Sequence, residues 1–209
     1  FVNLMSSNYK HESLIYVGPA ALCPKSAENR HLIVITGDKS KWARKLIEKR
    51  TKPDENNEVK VQVIVGTLGK SGTQKKWHCF NDPILNGTLS EYLIGWSTEE
   101  SPLESLNSED IECIKIDDIL NNENSENTFS LAIAQGDPFL MIKRSKKILH
   151  KIKTIDLSLH PLALVWEDDI NTYLAEQEFL RYPSNQLTWQ RQSTEYPVKP
   201  LATPPESQC

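Results

Sequence analysis

The sequence lacks the features that mark membrane, secreted and metal-binding proteins. No apolar run approaches the roughly 20 residues that span a bilayer, and no signal peptide pattern is visible. The four cysteines are scattered, without a C-x-x-C pair or a matching His spacing: Cys23, Cys79, Cys113 and Cys209. Because a zinc site needs closely spaced ligands, we expect no metal ion, reduced thiols and a cytoplasmic location.

An excess of positive charge is also lacking. The chain has 24 Lys and Arg residues against 28 Asp and Glu residues, a formal net charge of −4. This balance disfavours binding to nucleic acid or to an anionic membrane, and we expect neither partner. One predicted helix carries a local basic cluster: Lys143, Arg144, Lys146, Lys147, Lys151 and Lys153. The cluster is either an anion-binding surface or, as is more common, a solvated helix face.

Apolar, β-branched runs alternate with helical patterns along the chain. Strands are predicted at His31–Ile35, Val59–Val65 and Phe129–Ala134, and helices at Lys39–Arg50 and Phe139–Lys151. This alternation predicts an α/β, Rossmann-like domain with a mostly parallel sheet flanked by helices. Such sheets bind ligands beyond the carboxyl ends of their strands.

The remaining segments have weaker patterns. Further strands are predicted at Phe1–Leu4, Lys76–Phe80, Ile111–Ile116, Lys153–Leu159 and Ala163–Trp166, a helical turn at Asp117–Leu120, a last helix at Ile170–Phe179, and exposed connections at Asn81–Thr88 and Ser97–Asp110. The domain is expected to span residues 1–192, with a disordered Pro-rich tail at 193–209. The apolar opening Phe1–Met5 is typical of the middle of a strand, so we expect residues upstream and a longer multidomain protein.

Several polar residues at predicted strand ends or in loops have two interpretations each. His78 or Asp82 could act as a general base, although a lone His is more often structural and Asp82 before Pro83 fits a turn. Asp38 could bind ribose hydroxyls, but we favour a role as the N-cap of the following helix. Asp137 is either an acid or base, or the cap of a helix that starts at Pro138.

Four segments, taken in order, resemble FkbM-type S-adenosylmethionine-dependent methyltransferases. They are FVNLMSS, HLIVITGD with KWARKLIEK, ECIKIDDIL, and LAIAQGDPFLMIKRSKKIL, which together span most of residues 1–152. The resemblance implies methyl transfer from S-adenosylmethionine to a hydroxyl of a small-molecule or glycan substrate, such as a sugar or natural product. It implies a cofactor site at Asn3, Ser6, Ser7, Asp38, Gln135 and Gly136, and candidate catalytic residues at His78, Asp82 and Asp137.

The sequence departs from the family pattern at the positions that bind the cofactor. Asn3 and Met5 stand where the family has Asp and Gly, and Thr36 stands where it has an acidic residue. Ile133 and Pro138 replace an Asp and a Glu in the last segment. An alternative hypothesis is therefore a non-catalytic Rossmann-like binding or assembly module that has lost cofactor binding. An open cleft at the ends of the strands at Phe1–Leu4 and His31–Ile35 would favour the enzyme, whereas a cleft filled by Met5 and its neighbours would favour the module.

Overall fold

The central element is a seven-stranded sheet. The computed structural model describes residues 13–25, 31–52, 59–88, 102–120, 128–183 and 187–192. The strands of this sheet are β1 (Ser13–Val17), β2 (His31–Thr36), β3 (Lys60–Val65), β7 (Phe129–Ile133), β8 (Ile152–Asp156), β9 (Phe179–Arg181) and β10 (Thr188–Arg191). A smaller sheet contains β4 (Thr67–Leu68), β5 (Gln74–Phe80) and β6 (Ser105–Ile114).

The strand order confirms the predicted α/β, Rossmann-like class. The large sheet runs β3-β2-β1-β7-β8-β10-β9. The first five of these strands pair in parallel, whereas β10 is antiparallel to both of its neighbours. The chain continues from β1 to its neighbour β2 toward one edge of the sheet, and from β7 to its neighbour β8 toward the other edge. The strand order therefore reverses between β1 and β7, and the topological switch point lies between their carboxyl ends.

The first strand of this sheet was not predicted. β1 lies between β2 and β7, and Ile15, Tyr16 and Val17 have no exposed surface. A strand covered on both faces is apolar throughout rather than alternating, which makes a run of five residues hard to recognise. The predicted strand at 1–4 lies outside the described residues, as does the predicted tail at 193–209.

Helices cover both faces of the large sheet. They are α1 (Lys41–Thr51), α2 (Ile116–Leu120), α3 (Pro138–Arg144) and α4 (Glu167–Glu176). Ile15 and Val17 belong to one hydrophobic core cluster, while Leu14 and Tyr16 belong to another. Successive strand residues thus feed opposite faces, as a strand requires. Among the described helices, none is long and apolar enough to cross a membrane.

Several predicted boundaries were wrong. Ala163–Trp166 is a 3₁₀ turn rather than a strand, and residues 105–110 of the predicted exposed connection belong to β6. Helix α3 ends at Arg144, and a 3₁₀ segment, Lys146–Lys151, follows it. Phe179 lies in β9 rather than in the last helix, which ends at Glu176.

Candidate functional site

Asp38, just beyond β2, is the hub of a buried hydrogen-bond network. Its Oδ2 accepts from the Ala20 backbone N–H at 2.8 Å. Its Oδ1 accepts from Trp77 Nε1–H at 3.0 Å and from the Asn86 side-chain amide at 2.9 Å. The carboxylate therefore ties together the loop after β1, strand β5 and the loop that follows β5. A carboxylate buried in this way is stabilised only because charge-assisted hydrogen bonds replace water.

The N-cap role predicted for Asp38 is wrong. Helix α1 begins at Lys41, and the Ser40 side chain accepts from the Ala43 backbone N–H at 3.0 Å. Ser40 therefore satisfies the first turn of the helix, which leaves the Asp38 carboxylate to face inward. Asp38 is only 5% exposed.

Trp77 closes the space beyond the end of β2. Its side chain is 1% exposed, and its indole ring lies directly against Gly37, where any Cβ would collide with it. The glycine is required here because only a residue without a side chain allows such close approach. The 3₁₀ turn Pro83–Leu85 packs against a second 3₁₀ turn, Ala20–Leu22, beside the network. The loops after β1 and β5 thus meet over the strand ends.

Tyr16 fills the interior beside the end of β1. Its side chain is fully buried, and its hydroxyl donates to the Pro19 carbonyl oxygen at 2.9 Å. Burial raises the pKa of this hydroxyl well above its usual value, and Cys23 and Asp38 add to the shift. A Cβ on Gly18 would lie 2.7 Å from the Tyr16 ring, so this glycine is also packed against a side chain rather than against open space.

Gln135, beyond β7, is also engaged within the protein. Its side-chain amide donates to Thr67 Oγ1 at 2.7 Å, and its carbonyl oxygen accepts from the Thr88 hydroxyl at 3.1 Å. Gln135 is 4% exposed. The Gln135 side chain therefore links β4 to the segment that follows β5. Its NH₂ group and its carbonyl oxygen both have hydrogen-bond partners within the protein.

Gly136 adopts a left-handed backbone conformation with φ of 75°. A Cβ there would collide with Met141, so both the conformation and the packing favour glycine. Its carbonyl oxygen accepts from His160 Nε2 at 2.8 Å, while His160 Nδ1 accepts from the Leu162 backbone N–H. Burial lowers the pKa of His160 to about 4, so the ring is neutral at pH 7 and holds one tautomer.

Little space remains beyond the end of β7. Between the Gly136 and His160 region and the Asn86–Gly87 segment, the free volume is about 10 Å³. A single water molecule needs roughly that much volume. Protein groups therefore fill this part of the crevice in which a Rossmann-like sheet binds its ligand.

The candidate catalytic residues have local structural contacts. Asp82 accepts from the Ile84 backbone N–H at 3.1 Å, and Asp137 accepts from the Leu140 backbone N–H at 2.8 Å. These are cap contacts, and Pro138 starts helix α3 as predicted. His78 lies on β5, where its ring stacks on Phe80 with centroids 6.3 Å apart. Their roles as acid or base stay predictions.

The predicted cofactor residues are not all described. Asn3, Ser6 and Ser7 lie outside the described residues. Asp38, Gln135 and Gly136 do gather around the ends of β2 and β7, but each contacts protein groups. The sequence alone did not point to Trp77 or Asn86 as partners of Asp38. The one signal in the sequence was Gly37, beside a polar strand end, because a glycine allows a bulky group to approach closely.

The three cysteines that the structure describes give no sign of a reactive site. Cys23, Cys79 and Cys113 are free thiols, and Cys23 and Cys113 are buried. Burial is the first cause that raises the pKa of Cys79, followed by the nearby Asp38 and Glu109 carboxylates. Its thiol is therefore a poor nucleophile at pH 7. Within the described part of the chain, no group of three or more His, Cys, Asp or Glu residues is arranged to hold a metal ion.

Comparison of the chain with known proteins gives no matching family model, curated protein or solved structure. What the domain does is therefore inferred from the side chains around Asp38 and Gln135.

Proposed function

We propose that this chain is a non-catalytic Rossmann-like module with the fold of a methyltransferase, serving in binding or assembly rather than in methyl transfer. The observation that carries the proposal is the closed network around Asp38. The carboxylate that would accept hydrogen bonds from a ribose already accepts from Ala20, Trp77 and Asn86, and Asp38 is only 5% exposed.

The relationship to methyltransferases is supported by the order of segments and of strands. The resemblance implies a doubly wound sheet, and this chain has one, with a reversed strand, β10, near one edge. The strand before β2 is β1, so by its position in the sheet β1, rather than residues 1–7, corresponds to the family's first motif. In the pattern F-V-D-I-G, Leu14–Gly18 then places Tyr16 at the Asp and keeps Gly18 at the Gly.

S-adenosylmethionine does not fit these residues. Its ribose would have to displace Trp77 and Asn86 from Asp38, and its methionine portion would meet the packed Tyr16 and Gly18. Each buried donor left without an acceptor costs about 1–3 kcal/mol. If the conformation in which Trp77 and Asn86 have left Asp38 is less stable by this amount, only a small fraction of the protein adopts it. The apparent affinity for the cofactor is reduced in proportion to that fraction.

Calorimetric titration of the full chain with S-adenosylmethionine tests the proposal. We expect no heat of binding at millimolar cofactor and no thermal shift. A cofactor present at 100 times its Kd would add about 2.7 kcal/mol of stability, which is easily seen as a shift. S-adenosylhomocysteine is titrated in parallel, because a product-like ligand can bind where the substrate does not.

The alternative is an FkbM-like O-methyltransferase acting on a hydroxyl of a sugar or natural product. It requires the Trp77 side chain to leave Asp38 when the cofactor binds. Saturable binding with a Kd below about 100 μM, abolished in Asp38→Asn, would overturn the module hypothesis and favour the enzyme. That affinity corresponds to more than about 5 kcal/mol of binding free energy.

A further inference from the structure

A second, larger cavity lies next to the small sheet, and it shares no lining residue with the space beside Gly136. It has a volume of about 250 Å³ and opens where the small β4-β6-β5 sheet meets helix α3. Its apolar wall includes Leu68, Ile114 and Met141. This volume lies just below the 300–1,000 Å³ of most ligand pockets, and it suits a small molecule with a short carbon body.

The opening of this cavity is strongly cationic. Four basic side chains line it, namely Lys70, Lys115, Arg144 and Lys147, together with one carboxylate, Asp117. Lys70 and Lys115 follow strands β4 and β6 of the small sheet, whereas Arg144 and Lys147 lie at the end of α3 and in the 3₁₀ segment after it. Among the residues that the structure describes, no ion-pair partner contacts any of the four basic groups.

Gly69 lies at the edge of the cavity, between Cys113 and the Arg144 guanidinium. The residue is buried, and a Cβ at this position would lie 2.8 Å from the Cys113 Sγ and 3.7 Å from Arg144 Nη1. A side chain here would therefore collide with Cys113, while the guanidinium group lies within ordinary contact distance. Part of the basic cluster noted in the sequence thus faces a cavity, while Lys146 on the same segment does not line it.

We propose that this cavity binds a small phosphate monoester. A guanidinium group forms two parallel hydrogen bonds with phosphate oxygens, and lysines add charge without fixed geometry. The lining carries four positive charges against one negative charge, a balance that matches a dianionic phosphate better than a single carboxylate. The apolar wall takes the carbon body of the ester. The lining of this cavity shares no residue with the small space beside Gly136 and His160.

The test uses the full chain and three probes: inorganic phosphate, glycerol 3-phosphate and glycerol. Binding is followed by calorimetry and by two-dimensional NMR at low ionic strength, because salt screens an exposed charged site. We expect saturable binding of glycerol 3-phosphate, weaker binding of inorganic phosphate and none of glycerol. The absence of saturable binding by glycerol 3-phosphate, or binding of glycerol to the same extent, would overturn the proposal.

Matched variants locate the site. Arg144→Gln is expected to weaken glycerol 3-phosphate binding at least tenfold, whereas Lys146→Gln, with the same charge change two residues away, changes it less than twofold. Asp117→Asn removes the only negative charge from the lining and is expected to tighten binding, a gain that loss of folding cannot imitate. Equal weakening by Arg144→Gln and Lys146→Gln would show a diffuse basic surface instead. If Arg144→Gln fails to fold, Lys147→Gln replaces it with the same expected direction.

Discussion

Replacing Asp38 with Asn tests whether this residue is a structural hub. The side chain keeps its size, but one acceptor oxygen becomes an NH₂ donor. If the amide oxygen keeps Trp77 and Asn86, the new NH₂ group faces the Ala20 N–H, which loses its 2.8 Å partner. One unpaired buried donor costs about 1–3 kcal/mol. Asp38→Ala leaves all three donors unpaired and is expected to cost about 3–5 kcal/mol, as other broken buried networks do.

Urea unfolding followed by circular dichroism measures the effect. With a slope of about 2 kcal/mol per molar urea, Asp38→Asn should lower the midpoint by about 0.5–1.5 M. The control is Asp110→Asn, the same change at an exposed position of β6, which should stay within about 0.5 kcal/mol of the parent chain. If Asp38→Asn shifts the midpoint no more than this control, the carboxylate does not hold the loops together.

Two further predictions concern residues beyond β7. Burial keeps the pKa of His160 near 4, below its usual 6.5, so stability is complete above about pH 6.5 and falls toward pH 4 by about 3 kcal/mol. His160→Gln should remove that part of the pH dependence in urea unfolding, and an unchanged slope would contradict the shift. Asp137→Ala removes the cap that the Leu140 N–H contacts and should lower stability by about 1 kcal/mol. No change in the urea midpoint would show that this cap is dispensable.

The local pattern of the sequence was enough to locate three strands of the large sheet. Runs of apolar and β-branched residues predicted β2, β3 and β7 to within one residue at most of their bounds. Pro138 predicted the start of α3, because proline suits the first turn of a helix. These features depend on the conformational preferences of neighbouring residues, which the sequence expresses directly.

Other elements depend on pairing with distant segments. The first half of β6 is polar and exposed, and it is a strand because it pairs with β5 from Gln74 to Phe80. β1 is short and fully apolar, and its place at the centre of the sheet comes from β2 and β7 on either side. Neither β1 nor the first half of β6 has the alternation that marks a half-buried strand in sequence.

Asp38 shows most clearly what the sequence predicts and what only the tertiary structure decides. The sequence placed an acidic residue just after β2, at the edge where ligands bind in such folds. It could not show that Trp77, 39 residues later, and Asn86, 48 residues later, would donate to the same carboxylate oxygen. A carboxylate accepts hydrogen bonds from ribose hydroxyls in the same way as from an indole N–H and an amide NH₂ group. Only the folding of β5 and its loop over the strand ends decided which donors reach it.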